Sequence, residues 1–287
     1  MIEGTDDNCQ ICGSPERSDI AYVVDGYPVL RCKSCGVGRV AVKGFDPSKY
    51  YDDGYFTGKY EHSYTDYIGS KSVLSREFTK TLQFVRAHGP QDGRLLEVGC
   101  AYGLFLQQAR CHYEVYGVEP VGAAASYCHA EGLAGVKHGF LTEQDFIKIG
   151  AIDVAVMLDV IEHIDNVAET VELVAKHLRK GGSFVVTTGD WSSLVARLTG
   201  PRWRLMAPPL HLWYFTPHSL ETLGRRFGLE VISCSHPWKI VPLELILHQA
   251  SSMLGLKTKM EMPRSLKRLG LPANMHDAMR IVFRKMN

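Results

Sequence analysis

Leu95-Leu96-Glu97-Val98-Gly99-Cys100-Ala101-Tyr102-Gly103 decides the fold of this chain. The stretch reads as a buried strand that stops at an acidic residue, enters a glycine turn and starts a helix. A second strand, Glu114 to Val118, ends on another acid, Glu119, sixteen residues beyond Gly103. Strand, glycine loop, helix and strand, with an acid at the second strand tip, make a nucleoside-binding βαβ unit. The acid accepts both ribose hydroxyls and the glycines let the backbone approach the ligand. Glycine spacing then separates two ligand classes. A pyrophosphate-binding turn has G-x-G-x-x-G with a free helix N-terminus. This turn is G-x-x-x-G, with Ala101 at the middle site and Glu97 just ahead of it. A carboxylate aimed into the loop repels a pyrophosphate and suits a cationic ligand that carries an amino group. The bland alternative is that each acid caps a helix or turn; two acids at successive strand tips around one glycine loop speak against it.

The 287 residues can hold one large α/β domain and a small appendage. With 45% hydrophobic and 22% charged residues the composition is that of an ordinary globular protein. A net charge of +1 provides no global field to advertise a nucleic-acid partner. No apolar run approaches the roughly 20 residues that cross a bilayer. Met1-Ile2-Glu3-Gly4-Thr5-Asp6-Asp7 is acidic and lacks the apolar core of a secretory signal, so the expected location is cytoplasmic.

Four of the eight cysteines form Cys9-x2-Cys12 and Cys32-x2-Cys35, separated by 19 residues. Each pair can make a knuckle, and four thiolates complete a tetrahedral zinc site with no open position, hence structural. Cys100, Cys111, Cys128 and Cys234 are scattered through apolar segments and read as small hydrophobes. A zinc ribbon can also dock nucleic acid, but residues 1–35 carry six acids and three bases, the wrong sign for phosphate. A metal-stapled module packing on the main domain is the expectation.

The organisation that follows is a ribbon over 1–44, a tyrosine-rich linker and helix over 45–90, and a main domain over 91–287 with an insertion at about 240–272. The linker holds Tyr50, Tyr51, Tyr55, Phe56, Tyr60, Tyr64 and Tyr67, a density that demands either core packing or a ligand to cover. A helix is expected from Ser70 to Ala87. Strands are expected at Arg94–Gly99, Glu114–Val118, Val136–Leu141, Ile152–Leu158, Ser183–Thr188, Leu229–Cys234 and Met279–Arg284. Helices fall between them at Leu104–Cys111, Gly122–Glu131, Asn166–Leu178 and Ser219–Phe227, the third closed by Lys180-Gly181-Gly182. This alternation predicts a doubly wound, seven-stranded, mostly parallel α/β sheet of Rossmann-like form, its last strand an antiparallel edge. The insertion joins an apolar stretch to a basic one; from Lys239 onward there are nine bases and three acids. It reads as a substrate lid, a dimer contact, a peripheral membrane surface over 240–268, or a plain packed extension. Oligomeric state is not legible.

With these residues assembled, the chain resembles the class I S-adenosylmethionine (SAM)-dependent methyltransferases, most of all those with an N-terminal zinc ribbon that tailor sugars, polysaccharides and other natural products. The carriers are the Cys-x2-Cys pairs, Tyr50-Tyr51-x3-Tyr55-Phe56, Leu96 through Gly103, Gly117-Val118-Glu119-Pro120, Asp153 through Ile164, and Leu178 through Gly182. Ala101 departs from the glycine that many members carry there. The resemblance implies methyl transfer to a small-molecule, sugar or lipid-linked acceptor, on oxygen or carbon. It implies that Glu97, Gly99, Cys100 and Gly103 cradle the methionine portion and that Glu119 and Pro120 flank the ribose. Phe140 and Leu141 would border the adenine and Asp159 would face the cofactor.

Proton removal from the acceptor has two candidate places. Asp159, Glu162 and His163 stand at i, i+3 and i+4, a helical face similar to the magnesium motif of some quinone O-methyltransferases; helix-entry hydrogen bonding is the alternative. His211, in Pro208-Pro209-Leu210-His211-Leu212-Trp213-Tyr214, has a suitable ordinary pKa for a general base, against a histidine that merely orients its loop. Tyr51 either closes over the cofactor or packs as core. An RNA or protein methyltransferase using the ribbon for docking, or a non-catalytic binding subunit of the same fold, are the other readings. The acidic ribbon and Leu158-Asp159-Val160-Ile161, where base methyltransferases place Asp-Pro-Pro-Tyr or Pro-Cys, disfavour the nucleic-acid reading.

Overall fold

The computed structural model describes residues 8–15, 18–42, 44–52, 54–57, 66–243 and 269–286. It divides into two units. The first comprises Met1–Phe45, Thr142–Pro237 and Met275–Asn287, the second Asp46–Leu141 and Trp238–Asn274.

The first unit begins with three antiparallel strands, β1 (Asp19–Val24), β2 (Tyr27–Arg31) and β3 (Gly38–Val40). Asp25 and Gly26, both at positive φ, make the two-residue turn that joins β1 to β2.

The second unit supplies α1 (Lys71–His88), β4 (Arg94–Val98), α2 (Leu104–Ala109), β5 (Glu114–Glu119), α3 (Gly122–Ala130) and β6 (Val136–His138). The apolar stripe Val73, Leu74, Leu82 and Val85 buries one face of α1. β4 and β5 run parallel with Leu96 opposite Tyr116, and β5 and β6 run parallel with Gly117 opposite Val136. α2 starts at Gly103 (φ 66°), where a Cβ would come within 2.5 Å of Leu133 and 2.9 Å of the Cys128 sulfur. Only glycine satisfies both the left-handed turn and that close approach.

The first unit continues with α4 (Asp145–Ile149), β7 (Ile152–Leu158), α5 (Val167–His177), β8 (Leu178–Gly189), α6 (Leu194–Thr199), β9 (Trp213–Tyr214), α7 (Pro217–Arg226) and β10 (Leu229–Ser235). In the second unit β11 (Lys239–Pro242) pairs antiparallel with β12 (Gly270–Ala273), and in the first β13 (Ala278–Lys285) closes the chain's regular structure. Val154 through Met157, Phe184 through Val186 and Ile281 through Phe283 are buried on both faces, the signature of central strands. Thr216 and Ser219 form a reciprocal capping box on α7, with Pro217 in its first turn.

Seven strands form one mixed sheet in the order β10-β13-β8-β7-β4-β5-β6, which confirms the doubly wound, Rossmann-like class. A smaller sheet has the order β1-β2-β3-β9, so the ribbon recruits Trp213 and Tyr214 as its fourth strand.

Three expectations are corrected. The last strand, β13, is antiparallel but not an edge: it inserts between β8 and β10 and leaves β10 outermost. Pairing on both sides lets it bury Val282 and Phe283. Lys180-Gly181-Gly182 does not close a helix, because Leu178 is already extended after α5. The glycines make a bulge inside β8, where register with β7 jumps from Ile152–Leu178 to Val154–Ser183. The third strand of the main domain stops at His138, since Gly139 turns the chain (φ 122°) and donates its N–H to the Glu119 carbonyl. Of the 240–272 insertion, residues 244–268 lie outside the described residues, as do Tyr60 and Tyr64 of the linker. Among the described residues no helix is long and apolar enough to cross a membrane.

Candidate functional site

In the second unit, β4 ends at Val98 and the chain passes through Gly99, Ala101 and Gly103, all with left-handed φ (74°, 48° and 66°). The alternation bends the loop sharply and brings its amides toward the tip of β5. Glu119 is 3% exposed there; its Oε2 accepts the Ala101 N–H (2.7 Å) and its Oε1 the Val121 N–H (2.9 Å). Val121 immediately precedes α3, so the acid holds the approach to that helix as well as gripping the loop. Burial pushes its carboxyl up to about 7, against the two amides that favour the ionised form.

Glu97 is also 3% exposed, and its Oε2 has no hydrogen-bond partner. Burial above all, then the neighbouring Cys128 and Glu119, holds it well above the usual carboxylate range. A buried, unpartnered carboxyl beside a left-handed loop is a receptor for a cation: an arriving ammonium would supply the missing partner and ionise it. This donor set fits the amino group and ribose of SAM. Cys100, expected in the cradle, turns its sulfur inward instead, within 2.9 Å of a Cβ built on Gly117; only its backbone belongs to the loop. Pro120 follows Glu119 and its carbonyl accepts from His138 Nε2 (3.0 Å). Phe140 is 56% exposed, an open ring beyond the β6 tip, with Leu141 partly buried beside it. Tyr51 and Tyr55 pack with Phe56, Tyr67 and Tyr102 in a cluster that includes Ala101 and Val121, so the tyrosine segment lies on the glycine loop.

In the first unit the expected face of Asp159, Glu162 and His163 does not form. Asp159 stands at left-handed φ (56°), exposed, with its Oδ1 accepting the Thr187 hydroxyl (2.9 Å). Glu162 and His163 occupy a short 3-10 turn, Ile161–His163, after which Ile164 is already extended. What joins them is His211. The ligating atoms of Glu162, His163 and His211 lie within 4.8 Å of one another, and the imidazoles meet edge to face at 4.7 Å. The His211 loop is tied to the turn by His163 Nδ1 donating to Leu210 O (2.8 Å), Leu212 N to Glu162 O (2.8 Å) and the Trp213 indole to Ile164 O (2.8 Å). His211 Nδ1 donates to Leu205 O (2.7 Å), which leaves the ring's lone pair on Nε2. Glu162 Oε2 is buried with no hydrogen-bond partner. Burial raises Glu162 to about 7, opposed by His211 and reinforced by Asp159, and burial lowers His163 to about 4. The cluster can handle a proton or hold a metal ion. The participation of His211 with Glu162 was not legible, as 48 residues separate them and no local pattern marks the pairing.

The ribbon places its four cysteines together. Cys9 and Cys35 sulfurs are 3.9 Å apart, Cys12 and Cys32 3.8 Å, and all four lie within 4.8 Å. Zinc–sulfur bonds of about 2.3 Å put tetrahedral sulfurs roughly 3.8 Å apart, so the residues fit the ion. The two knuckles are built alike. Gly13 N–H donates to Cys9 O (2.7 Å) and Gly36 N–H to Cys32 O (3.0 Å), each glycine left-handed (73° and 74°).

Residues 71–234 match a family model described as a methyltransferase domain. Among curated proteins the chain is similar to ubiquinone biosynthesis O-methyltransferases. That of Bradyrhizobium sp. is 29% identical over 137 residues, 44% of this chain and 54% of the relative. That of Nitrobacter winogradskyi is 28% identical over 148 residues, 48% and 57%. The chain thus spans about half the length of these relatives. Among solved structures, a SAM-dependent methyltransferase of Archaeoglobus fulgidus is 15% identical with a TM-score of 0.50, covering 75% of this chain and 94% of the other. The YcgJ protein of Bacillus subtilis is 12% identical, TM-score 0.50, covering 74% and 99%. At these identities the likeness is one of fold.

Proposed function

The chain belongs to the methyltransferase-domain family, and from that premise we propose that it moves a methyl group from SAM to a small-molecule acceptor, a sugar, glycan or other natural product. The observation that carries this reading is the pair of buried acids, Glu97 and Glu119, set around a left-handed loop with one carboxyl oxygen left unpartnered. The name shared by the curated relatives supports oxygen as the methylated atom; carbon is the other choice.

SAM supplies a methyl group on sulfonium, displaced in line by the acceptor. The chain binds, aligns and removes a proton. Glu119 keeps lone pairs for the ribose hydroxyls after accepting its two amides, and Glu97 meets the amino group. Phe140 and Leu141 take the adenine; Gly99, Gly103 and the Cys100 backbone let the methionine portion come close. We assign the acceptor's proton to His211 Nε2. His163, lowered to about 4 by burial, stays neutral and orients the His211 loop through Leu210. Tyr51 and its neighbours cover the glycine loop. Zinc is held by Cys9, Cys12, Cys32 and Cys35 and stiffens the ribbon.

Calorimetric titration of S-adenosylhomocysteine tests the cofactor reading without knowledge of the acceptor. Stoichiometric binding is expected, weakened by about 1–3 kcal/mol in Glu119→Ala through loss of charged hydrogen bonds. Absence of heat and of thermal shift in the unaltered protein sinks the proposal.

A further inference from the structure

The first unit holds a cavity that methyl transfer, as assigned above, leaves unused. Its volume is about 500 Å³, and it opens among β1, β2, the Cys32–Gly36 turn and α6. The charged lining is unbalanced: Arg31, Lys33 and Arg197 share it with one carboxylate, Asp19, which is already paired with Lys33 at 3.0 Å. Neither Arg31 nor Arg197 has a carboxylate partner among the described residues.

The wall is preformed. Asp190, 4% exposed, accepts the Ser192 amide (2.9 Å) and hydroxyl (2.6 Å) on Oδ1 and pairs with His236 Nε2 (2.9 Å) on Oδ2. Trp191, held between them, donates its amide to Phe215 O (2.8 Å). The Arg31 guanidinium lies over the Trp191 ring at 5.3 Å, and Tyr22 meets that ring edge-on at 6.3 Å. A guanidinium over the Trp191 ring, a second guanidinium from another element and two aromatic rings form a site for an oxyanion attached to an organic body. Guanidinium forks match phosphate oxygens in geometry and charge, and the volume lies in the range of small-molecule pockets.

We propose that this cavity binds a phosphate ester, with Arg31 and Arg197 gripping the phosphate oxygens and Trp191 and Tyr22 walling the organic part. A purely compensating role, offsetting the thiolate charge of the neighbouring cysteines, would explain Arg31 and Lys33 but not Arg197, which comes from α6.

The test titrates phenyl phosphate into the full chain at low ionic strength, followed by calorimetry and tryptophan fluorescence, beside inorganic phosphate and benzoate. The expected result is saturable binding of phenyl phosphate, at least about tenfold tighter than either comparison compound and weakened by salt. Arg197→Gln, an exposed position, should weaken it at least about tenfold with an unchanged melting temperature and unchanged affinity for S-adenosylhomocysteine. Arg31→Gln should act alike. No binding of phenyl phosphate, equal binding to Arg197→Gln, or equal affinity for inorganic phosphate or benzoate overturns the proposal. Failure of the methyltransferase reading would show instead as lost S-adenosylhomocysteine binding with phosphate affinity intact.

Discussion

Glu119 Oε2 accepts the amide of Ala101 at 2.7 Å, so the tip of one strand holds the turn that leaves the strand beside it. That bond keeps Ala101 at φ 48°, a conformation that costs a residue with a Cβ about 1–2 kcal/mol.

Ala101→Gly should therefore stabilise the ligand-free protein. Relief of strain exceeds the added freedom of the unfolded chain, worth about 0.4–1 kcal/mol, by up to about 1.6 kcal/mol. Denaturant titration of the two proteins measures the difference, and a destabilised glycine variant would refute the strain argument.

The contribution of Glu119 to stability should fall as pH rises. Glu119 at about 7 in the folded chain against an ordinary value of 4.5 keeps its proton when the unfolded chain has lost it. Its contribution is complete below about pH 4.5 and is lost progressively up to about pH 7, a total of roughly 3 kcal/mol. Glu97, shifted in the same direction, adds to the slope. Thermal melts from pH 5 to 8 should show the decline, shallower in Glu119→Gln. Equal slopes would deny the shift.

Elemental analysis of the purified chain should find one zinc ion, lost in Cys12→Ser and Cys35→Ser alike. Both variants and chelator-treated protein should melt earlier than the zinc-loaded chain, because metal binding free energy is also folding free energy. A metal-free chain with an unchanged melting temperature would remove the structural role.

Asp277 is 1% exposed, accepts two bonds from Arg204 (2.8 Å each) and one from the Trp203 indole (3.0 Å). Asp277→Ala strands a half-buried guanidinium and should cost about 3–5 kcal/mol. Arg204→Ala restores little, since it strands the carboxylate in turn. Chemical denaturation of both singles and the double variant checks the pairing, the double being expected milder than the sum.

The parts of this molecule that sequence reveals are those with local signatures. Strand and helix periods, the glycine loop between Glu97 and Glu119, and the Cys-x2-Cys pairs each fit inside a few dozen residues, and the structure realises them. What escaped depends on partners far along the chain. The two-residue strand Trp213–Tyr214 has no period to detect, and β13 reads as an edge because nothing in Met279–Arg284 says which neighbours flank it. Asp159 breaks the helical face expected of Asp159, Glu162 and His163 through a single left-handed residue. Glu162 instead finds His211 through a loop fixed by backbone bonds, which carry no side-chain signal.

The pairing of Arg39 with Trp213, reinforced by Val40 N–H donating to Leu212 O at 2.9 Å, has a consequence for how this chain can be cut or recombined. The segment up to residue 44 is not an accessory that could be exchanged for another or trimmed away. Its third strand is one rail of the ladder whose other rail begins two residues after His211. A shortened chain would present Trp213 and Tyr214 as an open, apolar edge, prone to pair with a second molecule, and would unfasten the histidine loop at the same stroke.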